Sequence, residues 1–201
     1  MITIIDYGLG NIRSLMNWFK REALEVVLSR DPEVIASSEM LILPGVGAYG
    51  DAMKMLKAYG LDDIIIKEAK KGKPLVGICL GMQLLYDASY EGGYQKGLGL
   101  IPGDIKPFKT ANVKVPHMGW NNLNSTKETL DQTFVYFIHS FYAESSGEEV
   151  VAYTEYDVKV PGVVKKDNIL GFQFHPEKSG DAGKPMMDMI KELLDDNISS
   201  N

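Results

Sequence analysis

Pro74–Leu85 reads P-L-V-G-I-C-L-G-M-Q-L-L and holds the only cysteine of the chain, Cys79. The apolar run Leu75-Val76-Gly77-Ile78 suits a buried strand, and Leu80–Tyr86 has helical character. Cys79 therefore falls where a strand turns into a helix. Gly77 and Gly81 stand two residues to either side, small enough for a tight turn and a close strand–helix approach. A side chain on such an elbow is held out at the edge of a sheet. There a helix N-terminus, with its unpaired N–H groups, favours a thiolate. Taken alone, a lone cysteine in an apolar run is more often a small buried hydrophobe, so the rest of the chain has to decide.

Upstream of the elbow, short apolar strands alternate with helical patterns. Ile2–Ile5 is a β-branched strand that ends in Asp6-Tyr7-Gly8-Leu9-Gly10-Asn11. A helix follows, with Ile12, Leu15, Met16, Phe19 and Ala23 on one face. Glu25–Leu28 reads as a second strand, Asp31-Pro32 as a turn, and Met40–Leu43 as a third strand that runs into Pro44-Gly45-Val46-Gly47. Helices are expected over Ala48–Ala58 and Leu61–Lys71, with Gly72 as a stop. This alternation predicts an open, mostly parallel sheet with helices on both faces. In such sheets sites form at the carboxyl ends of strands, where Pro44–Gly47 and Cys79 both lie.

Gly8-x-Gly10 invites a dinucleotide reading, but Arg13 stands where the third glycine is needed. After Glu91 the pattern changes to glycine-rich loop and shorter strand-like runs: Val113–Val115, Phe134–Ile138, Val150–Thr154, Gly162–Lys166 and Ile169–Phe174. The second half is expected to be antiparallel. A final helix over Lys184–Asp195 would bury Met186, Met187, Met189, Ile190, Leu193 and Leu194. Residues Asn197–Asn201 are expected to fray. No repeat or linker divides the chain, so residues 1–201 are read as one domain.

Composition narrows the function classes. A net charge of −6 argues against nucleic acid as a partner, since that footprint is basic. One cysteine allows no internal disulfide, which fits a reducing compartment. The start M-I-T-I-I-D-Y-G lacks the basic region of a signal peptide. No apolar run approaches the roughly 20 residues that cross a bilayer. A cytoplasmic protein without membrane contact is expected. With three histidines at no ligand-like spacing and a single cysteine, no metal site is expected, and no motif calls for a cofactor.

Among the histidines, His175 is informative. It ends the run Leu170–Phe174 and is followed by Pro176-Glu177. Proline fixes the backbone there, so the Glu177 carboxylate can lie beside the imidazole and orient it. A nucleophile, a base and a group that orients the base form the general triad. Attack on a carbonyl also needs N–H donors for the developing oxyanion. The Leu80 amide is one candidate, and the Val46 and Gly47 stretch of the Pro44–Gly47 loop is the other.

Gly77-Ile78-Cys79-Leu80-Gly81-Met82-Gln83 with His175-Pro176-Glu177 resembles the triad class of glutamine amidotransferases. Further stretches sharpen the resemblance: Asp6–Asn11, Pro44–Tyr49, Pro116-His117-Met118-Gly119-Trp120-Asn121, Tyr136-Phe137-Ile138-His139-Ser140, and Gly171–Gly180. Together they resemble the glutaminase subunits of imidazole glycerol phosphate synthases, which serve histidine biosynthesis, over nearly the whole chain. The resemblance implies a class-I amidotransferase fold in which Cys79 attacks the carboxamide of glutamine, His175 shuttles protons and Glu177 orients it. It implies that Gln83, Gly47, His139, Ser140 and Phe141 hold the glutamine, Phe141 standing where the family often has Tyr. It also implies a heterodimer with a separate (β/α)₈-barrel cyclase subunit that takes the ammonia through an internal channel.

The chain itself gives a reason to expect a partner, because nothing in it reads as an ammonia-acceptor site. Asn11, His117, Met118, Trp120 and Lys178 are the candidates for the docking face. Other readings stay open at this level: a glutaminase serving pyridoxal phosphate, purine or surface-sugar amination, a non-catalytic binding protein of the same fold, or a cysteine peptidase, which would need an extended cleft.

Overall fold

The computed structural model describes residues 1–109, 112–145 and 147–199. The first half alternates as its apolar pattern dictates: β1 (Ile2–Ile5), α1 (Ile12–Arg21), β2 (Val26–Ser29), α2 (Pro32–Ser37), β3 (Met40–Leu43), α3 (Tyr49–Ala58), α4 (Leu61–Lys70), β4 (Leu75–Ile78) and α5 (Leu80–Leu84). Shorter strands follow: β5 (Tyr86–Ser89), β6 (Gln95–Lys96), β7 (Ile101–Pro107), β8 (His117–Asn122), β9 (Asn124–Ser125), β10 (Phe134–His139), β11 (Phe141–Glu144), β12 (Val150–Tyr156), β13 (Val158–Lys166) and β14 (Ile169–Phe172). Two 3₁₀ turns, Pro176–Lys178 and Gly180–Gly183, lead into α6 (Lys184–Ser199).

The main sheet has eight strands in the order β2-β1-β3-β4-β14-β13-β12-β9. The strands from β2 to β14 pair in parallel, and those beyond β14 pair antiparallel. This is the expected parallel sheet with an antiparallel portion. The last strand of the chain's sheet, β14, inserts beside β4 at the centre. Two smaller sheets complete the fold, a β10-β8 ribbon and a four-stranded sheet β11-β7-β5-β6.

Strand alternation builds the core on both faces of the main sheet. Leu41 and Leu43 of β3 pack with Tyr49, Met53 and Leu56 of α3 and Leu61 and Ile65 of α4. Met40 and Ile42 of the same strand pack on the other face, with Leu15, Trp18 and Phe19 of α1 and Met186, Met187 and Ile190 of α6. Every residue of β3 and of β4 is buried, as strands covered on both faces must be. No helix among the described residues is long and apolar enough to cross a membrane.

Several expectations are corrected. The Asp31-Pro32 turn is a helix start: Asp31 caps α2 by accepting from the Glu33 N–H at 2.8 Å, and Pro32 occupies the first helical position. Ala23 is not on the α1 face. It lies beyond the helix end with a positive φ of 56°. Val113–Val115 is irregular, and the strand begins two residues later at His117. The helix expected over Leu80–Tyr86 stops at Leu84 because Tyr86 starts β5. Strand β2 sits one residue later than expected, and β14 ends at Phe172 rather than Phe174. Leu194 is only partly buried. Helix α6 continues to Ser199, while Ser200 and Asn201 of the segment expected to fray lie outside the described residues.

The elbow is real and strained. Cys79 has φ 55° and ψ −112°, a region that L-residues avoid. A Cβ on Gly77 would stand 2.8 Å from the Gly81 carbonyl oxygen and from the Met82 Cα, and one on Gly81 would collide with the Leu43 carbonyl. The two glycines thus let α5 close onto β4 and β3. Because glycine adopts the Cys79 conformation without a Cβ penalty, Cys79→Gly should be more stable than Cys79→Ala by about 1–2 kcal/mol. Urea denaturation of the two variants checks this, and equal stabilities would show that the elbow is unstrained.

Candidate active site

The parallel pairing of β14 with β4 aligns Phe172 with Ile78. One step further the Cys79 N–H donates to the Phe172 carbonyl at 2.7 Å. The chain leaving β14 therefore passes beside the cysteine and delivers His175 three residues on. Its backbone is fixed at both ends: the His175 N–H donates to the Tyr136 carbonyl at 3.1 Å, and the buried Ser179 hydroxyl donates to the His175 carbonyl at 2.7 Å. Pro176 opens the 3₁₀ turn that swings Glu177 back, and Glu177 Oε1 lies 2.8 Å from His175 Nδ1. Both side chains are nearly fully buried.

Burial alone pushes the His175 imidazole down, but its contacts with Cys79 and Glu177 outweigh that and raise it to about 9. Nδ1 is held by Glu177, so Nε2 is the nitrogen left for the cysteine. Helix α5 has only five residues, so its dipole is small, and His175, which interacts with Cys79, is the full positive charge available to a thiolate. Cys79 Sγ is also 3.8 Å from the Ile138 carbonyl oxygen.

A cleft of about 360 Å³ opens over this group, with a lining that includes Val46, Gly47, Cys79, Leu80, Gln83, Glu91, His139, Ser140, Phe141 and His175. That volume suits one small molecule rather than an extended peptide. Gln83 is buried and spends both amide hydrogens inside the protein, on the Phe141 carbonyl at 2.9 Å and Gln173 Oε1 at 3.0 Å. Its own carbonyl oxygen is the group left for a ligand.

The loop from β3 is locked at one end and open at the other. The buried Tyr7 hydroxyl donates to the Pro44 carbonyl at 2.6 Å. A Cβ on Gly45 would stand 2.7 Å from the Gly81 nitrogen. Val46 and Gly47 are exposed, and Gly47, at φ +99°, has open space where a side chain would be.

The sequence-derived site residues separate into groups. Cys79, His175 and Glu177 come together, and Val46, Gly47, Leu80, Gln83, His139, Ser140 and Phe141 all line the cleft above them. Met118 and Lys178 are at its rim, and Trp120 is on the same strand as Met118 with 56% exposure. Asn11 stands at the N-cap position of α1 without a side-chain capping bond, outside the cleft lining. His117 does not belong on an outer face: it is 3% exposed and points inward. Its neighbours show why. The ring is stacked between Phe137, at 4.6 Å, and Tyr156, at 3.8 Å between centroids.

Sequence reasoning missed Glu91, Ser179 and the role of Tyr7. Glu91 lines the cleft and accepts from the Tyr49 N–H at 2.9 Å, capping α3. It follows no periodic signal and precedes only a Gly-Gly loop. Tyr7 lay within the quoted Asp6–Asn11 motif, where its glycines drew the attention instead.

Comparison with known proteins agrees with this fold. The class-I glutamine amidotransferase family model matches residues 3–192. A solved structure titled as a glutamine amidotransferase superposes with a TM-score of 0.78 at 23% identity, covering 96% of this chain and 98% of that one. The chain belongs to the class-I glutamine amidotransferases. Within that class it falls among the HisH subunits of imidazole glycerol phosphate synthase. It is 46% identical to the subunit of Lactococcus lactis subsp. lactis, over 96% of this chain and 98% of that one. It is 42% identical to that of Lactiplantibacillus plantarum over the full length of both. The protein is accordingly an enzyme, a glutamine amidotransferase.

Burial holds two histidines neutral, pushing His117 down to about 4 and, together with the nearby His117 and His175, pushing His139 down to about 3. In the unfolded chain both take up protons near pH 6.5. Below that pH the unfolded state binds protons that the folded state refuses, so stability is present above 6.5 and is lost as pH falls towards 4. Each histidine contributes a slope of about 1.4 kcal/mol per pH unit. His175, raised to about 9 in the folded state, opposes this slope near pH 6.5, where the unfolded imidazole is only half charged, and adds nothing by pH 5, where it is charged in both states. Urea midpoints should fall steeply between pH 6.5 and 5 in the native protein and less steeply in His117→Phe. A parallel fall in the two would contradict the assignment.

Proposed function

We propose that the protein hydrolyses glutamine to glutamate and ammonia with Cys79, His175 and Glu177, and passes the ammonia to a cyclase subunit that consumes it in histidine biosynthesis. The observation that carries this reading is the Glu177–His175 pair at 2.8 Å, seated beside a cysteine on a strained elbow, in a cleft sized for one amino acid. The Cys79 thiolate attacks the carboxamide carbon of glutamine. The tetrahedral intermediate collapses as His175 Nε2 gives its proton to the departing nitrogen, leaving a thioester and free ammonia. His175 then takes a proton from water, whose oxygen attacks the thioester carbon, and glutamate and the thiolate are released. Glu177 keeps Nδ1 protonated and the ring oriented throughout.

The oxyanion would be met by the Leu80 N–H, which has no partner within α5 because it lies in the first turn, and by the Val46–Gly47 stretch. With Pro44 and Gly45 fixed, the peptide unit between Val46 and Gly47 is the part of the loop able to rotate. A donor that is turned away costs about 10²–10³ in rate, which makes this unit the natural place for a partner to switch the enzyme on. Gln83 Oε1 and the Glu91 carboxylate offer acceptors for the ammonium group of glutamine. His139, Ser140 and Phe141 close the cleft around it.

The docking face would be the outer side of the β8–β10 ribbon. Met118 and Trp120 on β8 share it with Phe134 and Tyr136 on β10, because Trp120 is directly opposite Tyr136 and Met118 opposite Ile138. Met118, Trp120 and Phe134 are each more than half exposed. An apolar patch of this kind marks an interaction surface, and it runs into the cleft through Met118 and Ile138. Asn11 and Lys178 would extend the face. Ammonia released into neutral water becomes ammonium, which is not nucleophilic, so a cleft that opens onto a docking face suits a product that must not escape.

In complex with the cyclase, Cys79→Ala should release no ammonia from glutamine while still binding its partner, as judged by co-elution. Glu177→Gln should retain the fold and lose about 10²–10⁴ in kcat. The isolated subunit should hydrolyse glutamine slowly and accelerate when the cyclase and its ribosyl phosphate substrate are added. Ammonia release by Cys79→Ala, or a rate indifferent to the cyclase, would overturn the reading.

A further inference from the structure

A hydrogen-bonded chain of side chains runs behind the cleft from the docking ribbon to its substrate-facing wall. Asn121, on β8, has its side-chain amide oriented by two backbone contacts: Nδ2 donates to the Glu155 carbonyl at 3.2 Å, and Oδ1 accepts from the Asn122 N–H at 2.9 Å. The same Nδ2 faces His117 Nε2 at 3.4 Å. His117 Nδ1 is 2.9 Å from His139 Nε2, and His139 Nδ1 is 2.8 Å from the Phe141 carbonyl oxygen.

These contacts allow only one pattern of protons. A carbonyl accepts, so His139 carries its hydrogen on Nδ1. A neutral His139 then presents a bare Nε2, so His117 must donate from its own Nδ1. His117 Nε2 is left as an acceptor, and the Asn121 amide supplies the donor. All three groups donate in one direction, from the ribbon towards Phe141. A proton added to His139 would set two N–H groups against each other at 2.9 Å. The stacked rings of Phe137 and Tyr156 hold His117 in its plane, so it cannot turn to relieve such a clash.

The endpoint matters because the Phe141 carbonyl also accepts from Gln83 Nε2. Two buried donors thus converge on one carbonyl, and they fix the Ser140–Phe141 segment relative to Gln83, across the width of the cleft. We propose that His117 and His139 are positioning residues for substrate binding: their directed relay sets the segment His139–Phe141 that receives the amino-acid part of glutamine. This inference rests on the glutaminase reading above. It explains why a histidine in the docking motif is buried: His117 links strand β8 to the substrate wall without touching either ligand.

Two experiments test it. In the first, glutamine hydrolysis is measured for the complex with the cyclase. His117→Phe keeps the stacked ring but removes the donor to His139, leaving the buried His139 Nε2 without a partner, so the ring is no longer braced from behind against the Phe141 carbonyl. KM for glutamine should rise about tenfold, the equivalent of one hydrogen bond, with kcat within about twofold, because the segment does not contact the reacting carboxamide. His117→Gln, which restores an N–H donor, should recover most of the loss. A purely structural role would lower the melting temperature and leave KM unchanged, and that result would overturn the proposal. If the native complex shows no hydrolysis at all, the glutaminase reading fails instead.

The second experiment needs no activity and covers the case of an unstable variant. Histidine-selective ¹⁵N NMR of the native protein at pH 7 should find His117 and His139 both neutral and both protonated at Nδ1. An Nε2-protonated or charged His139 would break the relay and the proposal with it.

Discussion

The site depends on the parallel pairing of β14 with β4. Nothing local brings Cys79 and His175 together, since most of the second half of the chain separates them. The pairing does so through backbone geometry, because two parallel neighbours end on the same edge of the sheet. Once Phe172 accepts from the Cys79 N–H, the chain has only three residues in which to diverge before His175. Cys79 and His175 are thus held by two fully buried strands at the centre of an eight-stranded sheet. A site built on strand ends keeps its geometry better than one built on loops.

The same centre tolerates the unfavourable backbone at Cys79. A strained residue persists where its surroundings over-determine it, and here Gly77, Gly81 and Gly45 let β3, β4 and α5 approach to contact distances that any side chain would forbid. The strain and the close approach have one origin. A relaxed Cys79 would need α5 to swing away from β3, and that would open the buried face lined by Leu80, Met82 and Leu84.

Much of this was legible in the sequence, and the physical reason is locality. The glycine spacing around Cys79, the proline between His175 and Glu177 and the alternation of apolar strands with helices are short-range patterns, and they pointed to the sheet, the elbow and the pairing of His175 with Glu177. What was not legible depends on partners distant in the chain. Strand β8 begins at His117 because it pairs with β10, and no apolar alternation in H-M-G-W-N-N signals that. Strands β5 and β7 pair with each other and with β6 and β11 in a separate sheet, so their short runs carried no recognisable period. Tyr7 acts through one hydrogen bond to the Pro44 carbonyl and Ser179 by joining the His175 carbonyl to the Tyr136 N–H, and a polar side chain's distant partner leaves no mark in its own neighbourhood. His117 was placed on the docking face for a related reason: it stands in a motif with two exposed residues, Met118 and Trp120, but on a strand successive side chains face opposite ways.

That alternation gives the β8–β10 ribbon its place in the molecule. Its outward residues form the apolar face, while its inward residues and its backbone touch Cys79, the His175 turn and the Ser140–Phe141 wall of the cleft. The Tyr136 carbonyl receives the His175 N–H, and the Tyr136 N–H donates to the Ser179 hydroxyl that braces the same turn. The Ile138 carbonyl lies against the Cys79 sulfur. His139 and Phe141, at and just beyond the end of β10, bond to each other and to Gln83. Only two strands make the ribbon, and a two-stranded sheet has little stability of its own. Its position is therefore set by the protein interior packed on one side, while Met118, Trp120 and Phe134 stand exposed on the other. His175, Cys79 and the His139–Phe141 segment are therefore all held by contacts with the same short strand, so the position of that strand and the geometry of the cleft are not independent.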